Sequence, residues 1–94
     1  MAARIVVTCG SGVATSEMVA AKIRRLLDAE GAEAEVVAVD IAHADAALEG
    51  ADAFVPVVKP EREYDVPTVS GVAFLTGMNQ EKELARLLEI VRGA

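Results

Sequence analysis

An internal disulfide is excluded, because the 94 residues of the chain include a single cysteine, Cys9. A lone thiol is typical of proteins from a reducing compartment. Aromatic residues make up only 3% of the chain and tryptophan is absent, although hydrophobic residues reach 53%. The core must therefore be built from Val, Ile, Leu and Ala. Small and β-branched side chains of this kind suit closely packed layers of helices and parallel strands.

Long hydrophobic runs are also missing. No uninterrupted apolar run approaches the roughly 20 residues that span a bilayer. The run after Met1–Arg4 is too short for a signal peptide, so we expect a cytosolic protein.

Positive charge is scarce, since nine Lys and Arg stand against fifteen Asp and Glu, for a net charge of −6. The basic footprint of a nucleic-acid-binding protein is therefore absent, and no nucleic-acid partner is expected. The one basic group consists of Lys22, Arg24 and Arg25. We interpret it as a solvated helix face. The alternative is a partner-docking patch beside the loop that begins at Cys9.

The chain shows no linker, repeat or low-complexity segment, which predicts one domain over residues 1–94. Periodicity predicts strands over 4–8, 35–39, 53–58 and 66–69, and helices over 16–30, 44–48 and from 79 or 80 to 92. Thr15 or Ser16 is expected to cap the first helix, while Gly31 and Gly50 are expected to end the first two helices. Pro56 cannot donate to a sheet ladder, so the third strand is expected to lie at an edge, to bulge or to be nearly finished there.

Alternating strands and helices predict an α/β fold, with a four-stranded and mainly parallel sheet flanked by helices. In such sheets, ligands bind at the carboxyl ends of the strands. Cys9 follows the first strand and is therefore placed at that edge. The connecting segments over 59–65 and 70–79 are expected to share it.

The loop after the first strand has the composition of an anion-binding turn. Gly10 and Gly12 allow the chain to curl with its N–H groups pointing inward, and the N-terminus of a helix follows. The same donors favour the thiolate of Cys9, which is the nucleophilic form. We predict Cys9 as the catalytic residue at a phosphate loop. The predicted phosphate-binding residues are Gly10, Ser11, Gly12, Val13, Ala14, Thr15 and Ser16.

Three known phosphate motifs fail to match this loop. It has no lysine for a nucleotide P-loop, and it lacks the third glycine of a dinucleotide fingerprint, although Asp40 does end the second strand. A cysteine phosphatase loop needs arginine where Thr15 stands, to clamp the transition state. The loop thus suits carrying a phosphoryl group better than hydrolysing one. A phosphatase-like enzyme and a non-covalent nucleotide- or anion-binding module remain the alternatives.

One segment of the chain is similar to a known family. Residues 7–18, VTCGSGVATSEM, resemble the active-site segment of the cytoplasmic enzyme IIB components of the bacterial phosphoenolpyruvate-dependent sugar phosphotransferase system, in particular the galactitol-specific type. Asp65-Val66-Pro67, Val69-Ser70-Gly71 and Phe74 resemble a later strand and loop of the same branch.

This resemblance implies a phosphocysteine carrier of the IIB type. Cys9 would accept a phosphoryl group from a phosphohistidine on enzyme IIA and pass it to a sugar or sugar alcohol brought across the membrane by enzyme IIC. It also implies peripheral association with that membrane permease. No cofactor is implied.

Several other residues invite functional interpretation. His43 is interpreted as a solvated or capping histidine, and one Cys with one His offers no metal-ligand spacing. Asp40 is interpreted as a helix-start acid, or as a group that orients the loop. Met18 and Met78 are expected to fill the core. The loop cations Lys59 and Arg62 are expected to be solvated, with attraction of a phosphorylated partner as the alternative.

Overall fold

The centre of the fold is a parallel sheet made of β1 (Ala3–Cys9), β2 (Ala34–Asp40) and β3 (Ala53–Pro56). The computed structural model describes residues 3–9, 14–40, 43–57 and 66–93, and in it the strand order is β2-β1-β3. β1 is therefore central, and Ile5, Val6 and Val7 are fully buried, which is typical of a strand covered on both faces.

Four helices in the described ranges flank the sheet. They are α1 (Ala14–Ala29), α2 (Ala44–Leu48), α3 (Gly71–Thr76) and α4 (Gln80–Gly93). Side chains of α1, α3 and α4 share one large apolar cluster with one face of the sheet, whereas α2 covers the other face through Leu48. None of the described helices is long and apolar enough to cross a bilayer.

The predicted apolar stripes of the two long helices are confirmed. Their members are buried or packed against the buried cluster. In α1 they are Val19, Ile23, Leu26 and Leu27, and in α4 they are Leu84, Leu87, Leu88 and Val91.

The helix ends follow the sequence signals only in part. Gly31 and Gly50 adopt left-handed φ angles of 71° and 79°, as expected for residues that terminate helices. The start of α1 was predicted at residue 16 but lies at Ala14. Thr15 and Ser16 therefore belong to the first turn of the helix and do not precede it as caps.

The prediction of a four-stranded sheet is wrong, because three strands form the sheet of the described residues. Residues 66–69 contribute only one parallel bridge, between Thr68 and Phe54. The Phe54 N–H donates to the Pro67 carbonyl and the Val69 N–H donates to the Phe54 carbonyl, both at 2.9 Å. Pro67 has no N–H to extend the ladder, and the chain turns into α3 directly after Ser70.

β3 is shorter than its predicted range of 53–58, since it ends at Pro56 and a bend follows at Val57. It is an edge strand of the three-stranded order, and Pro56 is its last residue, as the missing N–H of proline predicts. The connecting segment expected over 70–79 is also only partly correct, because its residues 71–76 form α3.

Candidate functional site

The carboxyl ends of the three strands meet at one edge of the sheet. Cys9 is the last residue of β1, and its Cα partner in β2 is Asp40, the last residue of that strand. Neighbouring strands lie about 4.8 Å apart, so these two backbone positions are adjacent. Thr8 pairs with Pro56 at the end of β3, and the Val57 N–H donates to the Thr8 carbonyl at 2.9 Å. The edge predicted for Cys9 is therefore confirmed for its backbone.

Two helices begin beside this edge. α1 begins at Ala14, after the connection over residues 10–13. α3 begins at Gly71, where a Cβ atom would lie 2.7 Å from the Pro56 carbonyl oxygen. Since Pro56 pairs with Thr8, the start of α3 lies one strand away from the end of β1.

The predicted phosphate loop is covered only in part. Gly10, Ser11, Gly12 and Val13 lie outside the described residues, so their role as phosphate ligands stays a prediction. Ala14, Thr15 and Ser16 form the start of α1, a helix of 16 residues. A helix N-terminus carries a partial positive charge of roughly half a unit together with unpaired N–H donors, and both favour an anion there.

Thr8 is the buried polar residue of the described core, with no solvent exposure. Its hydroxyl has no hydrogen-bond partner within the described part of the chain. A buried hydroxyl without a partner costs free energy, so this position directly before Cys9 is polar at the expense of stability.

The other residues singled out from the sequence take ordinary positions. His43 is exposed at the N-cap position of α2, which fits the solvated histidine, but its side chain makes no capping hydrogen bond to the helix. Asp40 ends β2, four positions before α2 begins at Ala44. Lys59 and Arg62 lie outside the described residues. Across the ranges that the structure describes, no three His, Cys, Asp or Glu residues are grouped as metal ligands.

The prediction that Met18 and Met78 fill the core is wrong, because they are 67% and 73% exposed. The prediction used only the apolar character of methionine. That character does not distinguish a methionine on the buried face of a helix from one beside that face. α3 was also missed, although Ser70 at its N-cap and Gly77 at its C-cap are helix-boundary signals. Six residues between two such signals are too few for a clear helical period.

Comparison with known proteins defines the class of this molecule. The family model for the lactose/cellobiose-specific IIB subunit of the PTS system matches residues 4–86. This span runs from β1 into α4 and includes Cys9, and the chain belongs to this family. It is thus a phosphotransferase component of a sugar phosphotransferase system.

Individual relatives refine the comparison. The chain is 32% identical over 78 residues to the putative phosphotransferase enzyme IIB component SgcB of Escherichia coli K12, covering 83% of this chain and 85% of that protein. It is 29% identical over 94 residues to the galactitol-specific EIIB component of the same strain, covering 99% and 100% of the two chains. The galactitol-specific EIIB component of Shigella flexneri is 28% identical over the same length. The resemblance to the galactitol type of IIB component is confirmed.

Proposed function

We propose that Cys9 is a phosphoryl carrier, which accepts the group from a phosphohistidine on enzyme IIA and donates it to a sugar or sugar alcohol bound by enzyme IIC. Galactitol or a similar polyol is the substrate class that the names of the relatives favour. The proposal treats the chain as one domain over residues 1–94.

One observation carries this proposal. Cys9, the single cysteine of the chain, is the last residue of the central strand, at the edge where the other two strands also end. α1 begins directly after the connection over 10–13, so its N-terminal N–H groups lie at the same edge. A thiolate and a transferred phosphoryl group are both anions, and both gain from that arrangement.

The first transfer is a substitution at phosphorus. The Cys9 sulfur attacks the phosphorus atom, an S–P bond forms, and the P–N bond to the donor histidine breaks. The electron pair of that bond returns to the imidazole nitrogen, which takes up a proton. The backbone N–H groups over residues 10–16 balance the charge on the three phosphoryl oxygens.

The second transfer returns the thiolate. A hydroxyl oxygen of the sugar attacks phosphorus, the S–P bond breaks with its electron pair on sulfur, and the hydroxyl proton leaves to solvent or to a base on the permease. Thr15 lies in the first turn of α1, at the position where a cysteine phosphatase loop has arginine. Without that guanidinium, attack by water has no clamp on its transition state, so the phosphocysteine persists until an acceptor arrives.

The test is phosphorylation by purified phosphorylated enzyme IIA, prepared with phosphoenolpyruvate and the general phosphotransfer proteins. Intact-mass and peptide mass spectrometry should show one phosphoryl group, on the peptide that contains Cys9. Cys9→Ser should abolish the phosphocysteine and the onward transfer to galactitol in membranes that contain enzyme IIC. Because Cys9 is the only thiol, prior alkylation should block the label as completely as the substitution does.

His43→Gln is the matched control, since His43 is the only histidine and the only other residue that invites a phosphoryl relay. It should leave phosphorylation of Cys9 unchanged. A label on His43, or full labelling of Cys9→Ser, would overturn the proposal. Rapid hydrolysis of an aryl phosphate would instead favour a phosphatase.

A further inference from the structure

The exposed large hydrophobic side chains of the described residues are concentrated in one region. Met18 lies near the start of α1, while Val72, Leu75 and Met78 lie in α3 or just after it. They are 45% to 73% exposed. Grouped apolar exposure of this kind marks a surface that contacts another molecule more often than scattered single residues do.

A groove between α1 and α3 contains part of this exposed surface. Met18, Lys22 and Arg25 line it from α1, and Phe74 and Leu75 line it from α3, around a volume of about 180 Å³. Phe74 is buried and forms its apolar floor. We refer to these five residues as the α1–α3 groove.

The α1–α3 groove is cationic in a chain whose net charge is −6. Within the part of the chain that the structure describes, neither Lys22 nor Arg25 forms an ion pair. Arg24 differs from them, because its guanidinium donates to the Val36 carbonyl of β2. The basic group of α1 therefore divides into one structural arginine and two cations that remain available to a partner.

A second groove is also lined by residues of α3 and has a different charge. Val72, Thr76, Met78 and Glu83 are among its lining residues. The Glu83 carboxylate accepts the Ser70 N–H at 3.3 Å, and the lining of this groove includes no cation. An acidic partner should therefore bind the α1–α3 groove more favourably than the second groove.

The two helices that form the α1–α3 groove both begin beside the edge where Cys9 lies. At 1.5 Å per residue, the part of α1 from its first residue to Arg25 spans about 16 Å. α3 begins against Pro56, whose strand partner is Thr8. A protein seated in the groove would therefore reach the end of β1 with its neighbouring surface.

We infer that the α1–α3 groove docks the phosphoryl donor, through an apolar face of that protein bordered by carboxylates. The inference rests on the proposed function of Cys9. A donor that carries a phosphoryl group brings about two additional negative charges, which Lys22 and Arg25 attract. After transfer the donor loses those charges, so the attraction weakens and the donor is released. A neutral sugar has no charge for the two cations to attract, so the charge of the groove favours the donor protein over the sugar as its occupant.

The charge test compares two arginines in exposed helical positions, Arg25→Glu in the groove and Arg92→Glu near the end of α4. Both variants change the net charge equally. Arg25→Glu should raise the concentration of phosphorylated enzyme IIA needed for half-maximal labelling of Cys9 by about fivefold at low salt. High donor concentration should largely recover the rate, and added salt should reduce the difference. Arg92→Glu should match the wild type within about twofold.

The apolar test compares two exposed methionines, Met18→Gln in the α1–α3 groove and Met78→Gln in the second groove. Met18→Gln should also raise the half-saturating donor concentration by about three- to tenfold, because its apolar contact is lost. Met78→Gln should not. If both members of each pair behave alike, the docking inference is overturned.

Failure of docking and failure of the proposed function give different results. If the wild type is labelled on Cys9 but Arg25→Glu and Met18→Gln equal their controls, only docking fails. If the wild type is never labelled, the function fails, and calorimetric binding of unphosphorylated enzyme IIA still tests the groove. Weaker binding by the two groove variants supports docking, and equal binding overturns it. Groove-dependent binding to anionic lipid vesicles in place of enzyme IIA would also overturn it.

Discussion

At the scale of single residues, Gly71 shows how closely α3 approaches the sheet. A Cβ atom at this position would lie 2.7 Å from the carbonyl oxygen of Pro56, 3.0 Å from its carbonyl carbon and 3.1 Å from the Cα of Val57. All three are backbone atoms at the end of β3, so none can turn aside as a flexible side chain would. Glycine is therefore required here by close approach and not by backbone angle.

We expect Gly71→Ala to lower the free energy of unfolding by about 1–3 kcal/mol, because α3 or the end of β3 must move to admit the methyl group. Gly93→Ala is the matched control, since a Cβ at Gly93 would meet nothing within 4 Å and alanine favours a helix. Urea denaturation of the three proteins measures the effect. Equal stability of Gly71→Ala and wild type would mean that α3 does not pack this closely.

Residues differ in how far their sequence signals predict their structural roles. Pro56 was expected to mark a strand that lies at an edge, bulges or is nearly finished, and β3 is an edge strand that ends at Pro56, because a missing N–H has the same consequence in any fold. Met18 was wrongly placed in the core, because methionine is suited to cores and to binding surfaces alike. The exposure of Met18 depends on how α3 packs against α1. That packing cannot be predicted from the sequence of α1 alone.

At the scale of elements, α4 holds the segment that was expected to be a fourth strand. The Arg86 guanidinium donates to the Thr68 carbonyl at 3.0 Å, and the Glu83 carboxylate accepts the Ser70 N–H at 3.3 Å. Arg86 and Glu83 also form an ion pair at 3.4 Å, three residues apart on the helix. Side chains of α4 thus bond the backbone groups that another strand would otherwise use, which protects this edge from pairing.

Arg86→Ala should loosen that segment without unfolding the protein. The guanidinium side chain is 54% exposed, so we expect a stability loss of about 1 kcal/mol or less. The more sensitive readout is amide exchange at Val69, whose N–H bonds to the Phe54 carbonyl and should exchange about fivefold faster. Lys82→Ala, exposed on the same helix, should leave that rate unchanged. Unchanged exchange in Arg86→Ala would contradict the role of the Arg86–Thr68 hydrogen bond in holding this segment.

Elements with long periodic patterns were predictable, and the short helix α2 was predicted over 44–48 with Gly50 as the residue that ends it. Two other short segments were not predicted correctly. α1 and α4 carry apolar stripes over several turns, so their inward faces followed from helical spacing. The segment over 66–69 and α3 are each shorter than the window in which a period can be recognised. Their structure depends on contacts with β3 and α4, which lie far from them in sequence.

At the scale of the whole molecule, the two faces of the sheet are covered unequally. The face under α1, α3 and α4 belongs to a large buried cluster that includes Leu87, while the buried residues identified under α2 are Val6, Leu48 and Phe54. The alternation of strands and helices predicted helices on the sheet but not this inequality, because α2 has only five residues and weak periodicity. The α1–α3 groove belongs to elements of the larger side.

This inequality predicts different costs for the same substitution on the two faces. Leu87→Ala should lower the free energy of unfolding by about 3–5 kcal/mol, because Leu87 is fully enclosed and its neighbours on several elements cannot close the cavity. Leu48→Ala should cost about 2 kcal/mol, since a short helix can settle toward the sheet. Urea denaturation with a shared m-value measures both, against a total of roughly 5–15 kcal/mol for such a domain. An equal or larger cost for Leu48→Ala would show that α2 is held as firmly as α4. In that case the side of the sheet that carries the α1–α3 groove would have no greater share of the stability than the opposite side.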